Sequence, residues 1–224
     1  MTQYRKDLLI NDNYYHIFSR SIAKYVIFNN DQEYSRIINL ISLLKYVDFD
    51  YSFSRFIILK SDQQLSIINK LKKQNKTFVE IIAYCIMPTH FHLILKQNTD
   101  FGIAKYMAKL LNSYSKYFNA IHNRVGPLWS GRFKNLKVTD DDQLLHLTRY
   151  IHLNPCSANI VNRPEHWEYS SYKEYINESD NRMCGFKDVI NFELNQYKKF
   201  VENRKDYQQK ISQIKNLLID NYSG

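Results

Sequence analysis

Apolar positions along this chain fall into two repeats, one of two residues and one of three to four. Their alternation along the chain outlines a fold. Tyr14, Tyr15, His16, Ile17, Phe18 and Ser19 form a β-branched and aromatic run that predicts a first strand. Asp31 then heads a predicted helix, in which Tyr34, Ile37, Ile38 and Ile41 recur at helical spacing. Strand signals return at 78–86 and continue through Leu95, with Pro88 in a short turn between them, so this stretch reads as a hairpin. Ile103, Met107, Leu110, Leu111, Tyr114, Tyr117 and Phe118 make an apolar stripe on a helix predicted over 102–120. Gly126-Pro127 and Ser130-Gly131 mark loops. A short strand follows at 133–138, where Phe133, Leu136 and Val138 alternate imperfectly with lysines.

Asp140, Asp141 and Asp142 open the next predicted helix, since acidic side chains suit the positive end of the helix dipole. That helix runs through Leu144, Leu145, Leu147 and Ile151. Pro155 is expected to end it at Asn154, because the residue before a proline is disfavoured in helical geometry. The element order is β-α-insert-β-β-α-β-α. It predicts an α+β fold with a ferredoxin-like split βαβ, an antiparallel sheet with helices packed on it. The insert, roughly 46–76, is longer than that architecture needs. Beyond Trp167 the chain turns polar and helical in character, ending in 208–221. We therefore expect one domain over 1–178 and a helical C-terminal extension over 179–224.

Composition narrows the class. A 224-residue chain that is 44% hydrophobic and 15% aromatic is long and apolar enough for a well-filled core and is not a disordered polymer. The formal charge of +9 and pI near 9.3 favour a polyanionic partner, nucleic acid first. Three cysteines with no CxxC pair exclude a disulfide framework and suit a reducing cytoplasm; Cys85, in an apolar run, reads as a core residue. No signal peptide is evident, and no window approaches the ~18 apolar residues of a membrane span. The expectation is a soluble cytoplasmic protein with no membrane partner.

The candidate chemistry centres on His90-Phe91-His92, within the apolar run 86–95. On a strand, alternate side chains share a face, so both imidazoles point one way and Phe91 the other. Imidazole is the commonest protein ligand for divalent metals, and two on one strand face make half a site. Alone, the pattern is equally consistent with two incidental histidines on a half-buried strand. On the helix ending near Pro155, Tyr150 and Asn154 lie four residues apart on one face, while Leu147 and Ile151 share another and can anchor the helix to a sheet. A phenol beside a carboxamide is compatible with a nucleophile next to a metal ligand. In a chain with 18 tyrosines that signal is weak.

Taken in order, MPTHFHLIL, LWSGRFKNLKV and LTRYIHLNP, with WEYSSYKEY after them, resemble the single-tyrosine HUH transposases, and within them the REP-associated tyrosine transposase group. The resemblance extends over about 14–175. It implies that His90 and His92 are the metal-binding pair and Tyr150 the nucleophile. Asn154 takes the place of the third protein ligand, and the ion is Mg²⁺ or Mn²⁺. It implies a transposase that cleaves and rejoins single-stranded or hairpin DNA through a 5′-phosphotyrosine, without ATP. A homodimer is an assembly this family resemblance leaves open. An unperturbed tyrosine has a pKa of about 10, so a cation should favour the phenolate; the metal and Arg149 are the candidates.

Trp129, Arg132, Lys134 and Arg149 are the candidate DNA contacts, since bases of single strands stack on aromatics while cations follow the phosphates. Of these, Arg132 suits bidentate phosphate contact, and Trp129 could equally pack a loop on the core. Tyr114 and Tyr117 belong to an apolar stripe and read as packing residues. His152 falls on a different helix face from Tyr150 and is not read as a ligand. His16, His122, His146 and His166 show no partner pattern and read as structural. The alternative is a domesticated hairpin-binding protein without transposition activity. A binuclear metallohydrolase is set aside, because no further Asp or His follows the His-x-His pair.

Overall fold

Residues 8–179, 182–186 and 194–203 are described in the computed structural model. Four strands, β1 (Tyr14–Arg20), β2 (Val79–Met87), β3 (His90–Gln97) and β4 (Lys134–Lys137), form one antiparallel sheet in the order β2-β3-β1-β4. This is the ferredoxin-like arrangement that the element order predicts. The β2–β3 hairpin turns through Pro88 and Thr89, and β1 docks along β3 with Phe18 opposite His92 and Arg20 opposite His90.

The period-two alternation of β1 and β3 divides their side chains between two cores. Tyr15, Ile17, Phe91, Leu93 and Leu95 face one way, against α1 (Asp31–Leu44) and α4 (Gly102–Ile121). Asn30 caps α1 by accepting from the Glu33 amide, satisfying one of the N–H groups a helix start leaves open. On the other face, Ile82, Cys85, Met87 and Ile94 meet α5 (Asp141–Ser157) through Leu144, Leu147 and Ile151. Asp140 caps α5 through the Gln143 amide. Each fully buried aliphatic side chain contributes roughly 1.5–3 kcal/mol, which holds α5 firmly to the sheet.

The long stretch between α1 and β2 folds into α2 (Phe53–Phe56) and α3 (Ser61–Gln74). Its two ends are pinned side by side, with the Val47 amide donating to Lys76 O and the Phe78 amide to Lys45 O. Phe49, Phe53, Phe56 and Leu71 return to the α1/α4 core. The excursion thus leaves and re-enters the sheet without disturbing strand order.

One expectation changes. The α5 helix does not stop at Asn154; it includes Pro155 and continues to Ser157. Proline removes only its own N–H bond to the carbonyl four residues back. Near the end of a helix that is a single lost bond, and the Ala158 amide to Asn154 O and the Ile160 amide to Pro155 O close the terminus. Beyond Trp167, α6 (Tyr172–Tyr175) and α7 (Leu194–Glu202) pack Tyr172, Tyr175, Tyr197 and Val201 into the α5 core. The described part of the C-terminal extension therefore shares a core with the sheet. The helical tail expected at 208–221 lies outside the described residues.

Candidate active site

Strand alternation carries His90 and His92 to the α5 face, as the sequence predicts. Phe91 goes to the opposite core, where its ring meets Trp129 edge-on at 5.5 Å between centroids. Trp129 is held there by its indole N–H donating to Leu111 O and by pairing of its backbone with Ser21. The phenylalanine between the histidines is thus clamped from behind, which fixes how the two imidazoles project.

The His90 and His92 rings lie 5.0 Å apart and nearly perpendicular. Thr89 Oγ1 is 3.0 Å from His90 Nδ1. A third imidazole joins them: His16 of β1 lies parallel to His92 with centroids 5.1 Å apart, and His16 Nε2 is 2.9 Å from His92 Nδ1. His16 sits diagonally from His92 across the β1–β3 ladder, a separation that ring side chains span. Phe18 stacks on His16 and on His92.

Tyr150 of α5 closes the site from above. Its ring is edge-on to His92 at 5.8 Å and to His16 at 6.3 Å. One helical turn further on, the Asn154 carboxamide reaches the phenol and favours its ionised form. Burial outweighs this and raises the Tyr150 pKa overall. The nearby cation that opposes burial is Arg20. Arg149, the residue expected in that role, is instead buried with its guanidinium 4.8 Å over the Phe200 ring.

Burial keeps the histidines uncharged. It pushes His16 down to about 3 and His90 to about 4, the latter helped by Arg20; His92 is lowered well below its ordinary value by burial and by its imidazole and cationic neighbours. Neutral imidazoles keep a lone pair for a metal at neutral pH. Asn154 Nδ2 lies close enough to the phenol to favour its ionised form, yet it makes no hydrogen bond of ordinary geometry among the described residues; a metal would be met by the amide oxygen, not by this donor. Among those residues no three His, Cys, Asp or Glu side chains gather as a ligand set. Two imidazoles and an amide oxygen are donors that would suit a divalent ion completing its shell with water or a phosphate, a mixed shell acceptable to Mn²⁺ or Mg²⁺.

Of the expected DNA contacts, Arg132 and Lys134 are exposed, whereas Trp129 and Arg149 are buried and packed. His152 is a satisfied core histidine, with Nδ1 2.7 Å from the Tyr197 hydroxyl and Nε2 2.8 Å from Ser171 Oγ. Tyr114 is likewise a packing residue whose hydroxyl donates to Ile27 O. Sequence reasoning missed His16 and Arg20. The signal available for both was the alternation of β1, which puts His16, Phe18 and Arg20 on one face.

A His-hydrophobic-His strand inside a four-stranded antiparallel sheet, faced by a helix-borne tyrosine, resembles the arrangement expected of a single-tyrosine HUH site. Comparison with known proteins bears out that resemblance. Residues 54–154 match the family described as "Transposase IS200 like". A Haemophilus influenzae protein named for the REP-associated tyrosine transposases is 28% identical over 103 residues, which cover 42% of this chain and 58% of that relative. A solved structure of a REP-associated tyrosine transposase bound to a REP hairpin superposes with a TM-score of 0.54 at 16% identity, over 87% of this chain and 96% of that one. This last likeness establishes a shared fold. Among the described residues no helix is long and apolar enough to cross a membrane.

Proposed function

We propose that this protein is a divalent-metal-dependent transposase that cleaves and rejoins single-stranded, hairpin-forming DNA through a covalent link to Tyr150. The observation that carries this reading is the placement of the Tyr150 ring edge-on to His92 at 5.8 Å, with Asn154 beside the phenol. A conserved fold can hold many chemistries, so the site must carry the functional argument. The hairpin substrate is taken from the relative whose structure contains one.

His90, His92 and Asn154 would hold the ion. When bound, it supplies Lewis-acid stabilisation of charge building on the scissile phosphate. The chain's own residues do the rest. Asn154 and Arg20 lower the cost of ionising the Tyr150 phenol, whose proton passes to solvent. The Tyr150 oxygen attacks phosphorus, forming a 5′-phosphotyrosine while the bond to the 3′ oxygen breaks and leaves a 3′-hydroxyl. Attack by a 3′-hydroxyl on that phosphotyrosine reverses the step on another strand and returns the phenol. Bond energy is conserved throughout, so no nucleotide is consumed. Exposed Arg132, just before β4, and Lys134, its first residue, would follow the DNA backbone.

The test is a denaturing gel of purified protein incubated with end-labelled hairpin DNA and Mn²⁺, beside the Tyr150→Phe variant. We expect a slow covalent band in the native protein that the variant lacks, with hairpin binding retained in both. An adduct that survives in Tyr150→Phe overturns the assignment of the nucleophile. Hairpin binding without any adduct across a panel of hairpins favours a domesticated DNA-binding protein instead.

A further inference from the structure

The geometry points to His16 as a positioning residue that sets the tautomer and the ring orientation of His92. The inference rests on the reading of His92 as a metal ligand. The observation behind it is the 2.9 Å approach of His16 Nε2 to His92 Nδ1, between two buried rings stacked within 14° of parallel.

A neutral imidazole carries one proton and one lone pair on its two nitrogens. Because one His92 nitrogen is engaged with His16, only Nε2 is left to meet an ion. Ligation through Nε2 needs the lone pair there, which places the His92 proton on Nδ1. That N–H then donates to the His16 Nε2 lone pair. His16 in turn carries its own proton on Nδ1, the nitrogen that is buried with no hydrogen-bond partner among the described residues. The reverse arrangement, with His16 donating, would put a hydrogen on His92 Nε2 and block it.

The two tautomers therefore amount to a ligating and a non-ligating state of one ring, and His16 determines which is held. The neighbours limit the alternatives. Phe18 stacks against both rings and offers no hydrogen bond, and Tyr150 meets both only edge-on. His90 faces a different partner, Thr89 Oγ1. His16 is thus the one side chain among the described residues with a hydrogen bond to the His92 ring. Partners of this kind orient metal-binding histidines and typically alter affinity 10- to 100-fold when removed.

Two measurements on the full chain test this. The first is Mn²⁺ affinity, followed by the free-ion electron paramagnetic resonance signal, for the native protein, His16→Phe, His16→Gln and His92→Ala. Gln places a carbonyl oxygen where His16 Nε2 stands, so it keeps an acceptor without an imidazole. We expect His16→Phe to weaken binding roughly 10- to 100-fold, and His16→Gln to restore it to within a few-fold of native. Native affinity in folded His16→Phe overturns the inference, as does a Gln variant as weak as Phe.

The second measurement needs no variant and covers the case in which His16→Phe does not fold. Long-range ¹⁵N–¹H correlation of the Mg²⁺-saturated native protein reads the His92 tautomer directly. A proton on Nδ1 is expected, and a proton on Nε2 overturns the inference. Native-like Mn²⁺ binding by His92→Ala would instead remove the metal reading on which the inference rests, independently of how His16 behaves.

Discussion

Asn154 stands one turn beyond Tyr150 on α5, and its carboxamide acts on the Tyr150 phenol while the edge of that ring faces His92. One helix thus brings a phenol and an amide to a site whose imidazoles come from the sheet. The helix continues past Pro155 to Ser157, so the turn that carries Asn154 is still backed by helical backbone.

Replacing Asn154 with Ala removes both the group that favours the phenolate and a proposed metal ligand. Adduct formation should fall at least ~10-fold. The melting temperature should change little, because Asn154 is only partly buried. A full-yield adduct in a folded Asn154→Ala protein would separate this amide from the chemistry.

Arg20 lowers the pKa of Tyr150 against the larger effect of burial. In Arg20→Met that pKa rises, so a smaller fraction of phenol is ionised at any given pH. The pH–rate profile for adduct formation should move to higher pH, and the move should shrink as salt is added, since an exposed cation acts through screened solvent. An acid-ward shift would contradict the placement of Arg20.

Chelation should stop cleavage, and so should the double change of His90 and His92 to Ala. Hairpin binding, carried by cations elsewhere on the surface, should persist under chelation. Cleavage that continues at native rate with excess chelator would sink the metal dependence.

Burial lowers the pKa of His152 to about 3, far below its unfolded value. Between about pH 6.5 and 3 the unfolded chain binds a proton there that the folded chain does not. Stability therefore rises with pH across that window and is lost as pH falls through it, by up to about 1.4 kcal/mol per pH unit. Denaturant melts of native protein and His152→Gln at pH 7 and 5 should show a smaller pH dependence in the variant. Equal pH dependence in the two would rule out His152 as a contributor.

Gly102 opens α4 where a Cβ would come within 2.2 Å of Phe78 O. That carbonyl also accepts from the Asn98 amide, so it is not free to move. Gly102→Ala should destabilise the fold by roughly 1–3 kcal/mol. Calorimetry would read this as a drop of several degrees, at about 2–4 °C per kcal/mol for a domain of this size. An unchanged melting temperature would show that β2 and α4 can part without cost.

Much of this protein was legible residue by residue. Period-two alternation placed His90 and His92 on one face and Phe91 on the other, and the i, i+4 relation placed Tyr150 beside Asn154. The Asp140 cap and the apolar stripe of α4 are equally local. Such features depend on strand and helix periodicity, which any stretch of chain carries within itself. Pro155 was misjudged because the cost of a proline depends on how many helical bonds remain after it, and that number is set by where the chain next turns.

His16, Arg20 and Arg149 were decided at longer range. His16 is 76 residues from His92 in sequence, and their hydrogen bond exists only because β1 pairs with β3 in one particular register. Arg149 neighbours Tyr150 in sequence, yet it reaches Phe200 because α7 covers that side of α5. Secondary structure, the shared face of His90 and His92 and the shared face of Tyr150 and Asn154 follow from local spacing alone. Which side chains meet around them depends on strand register and helix docking. Both are set by the burial of two separate cores rather than by any local pattern.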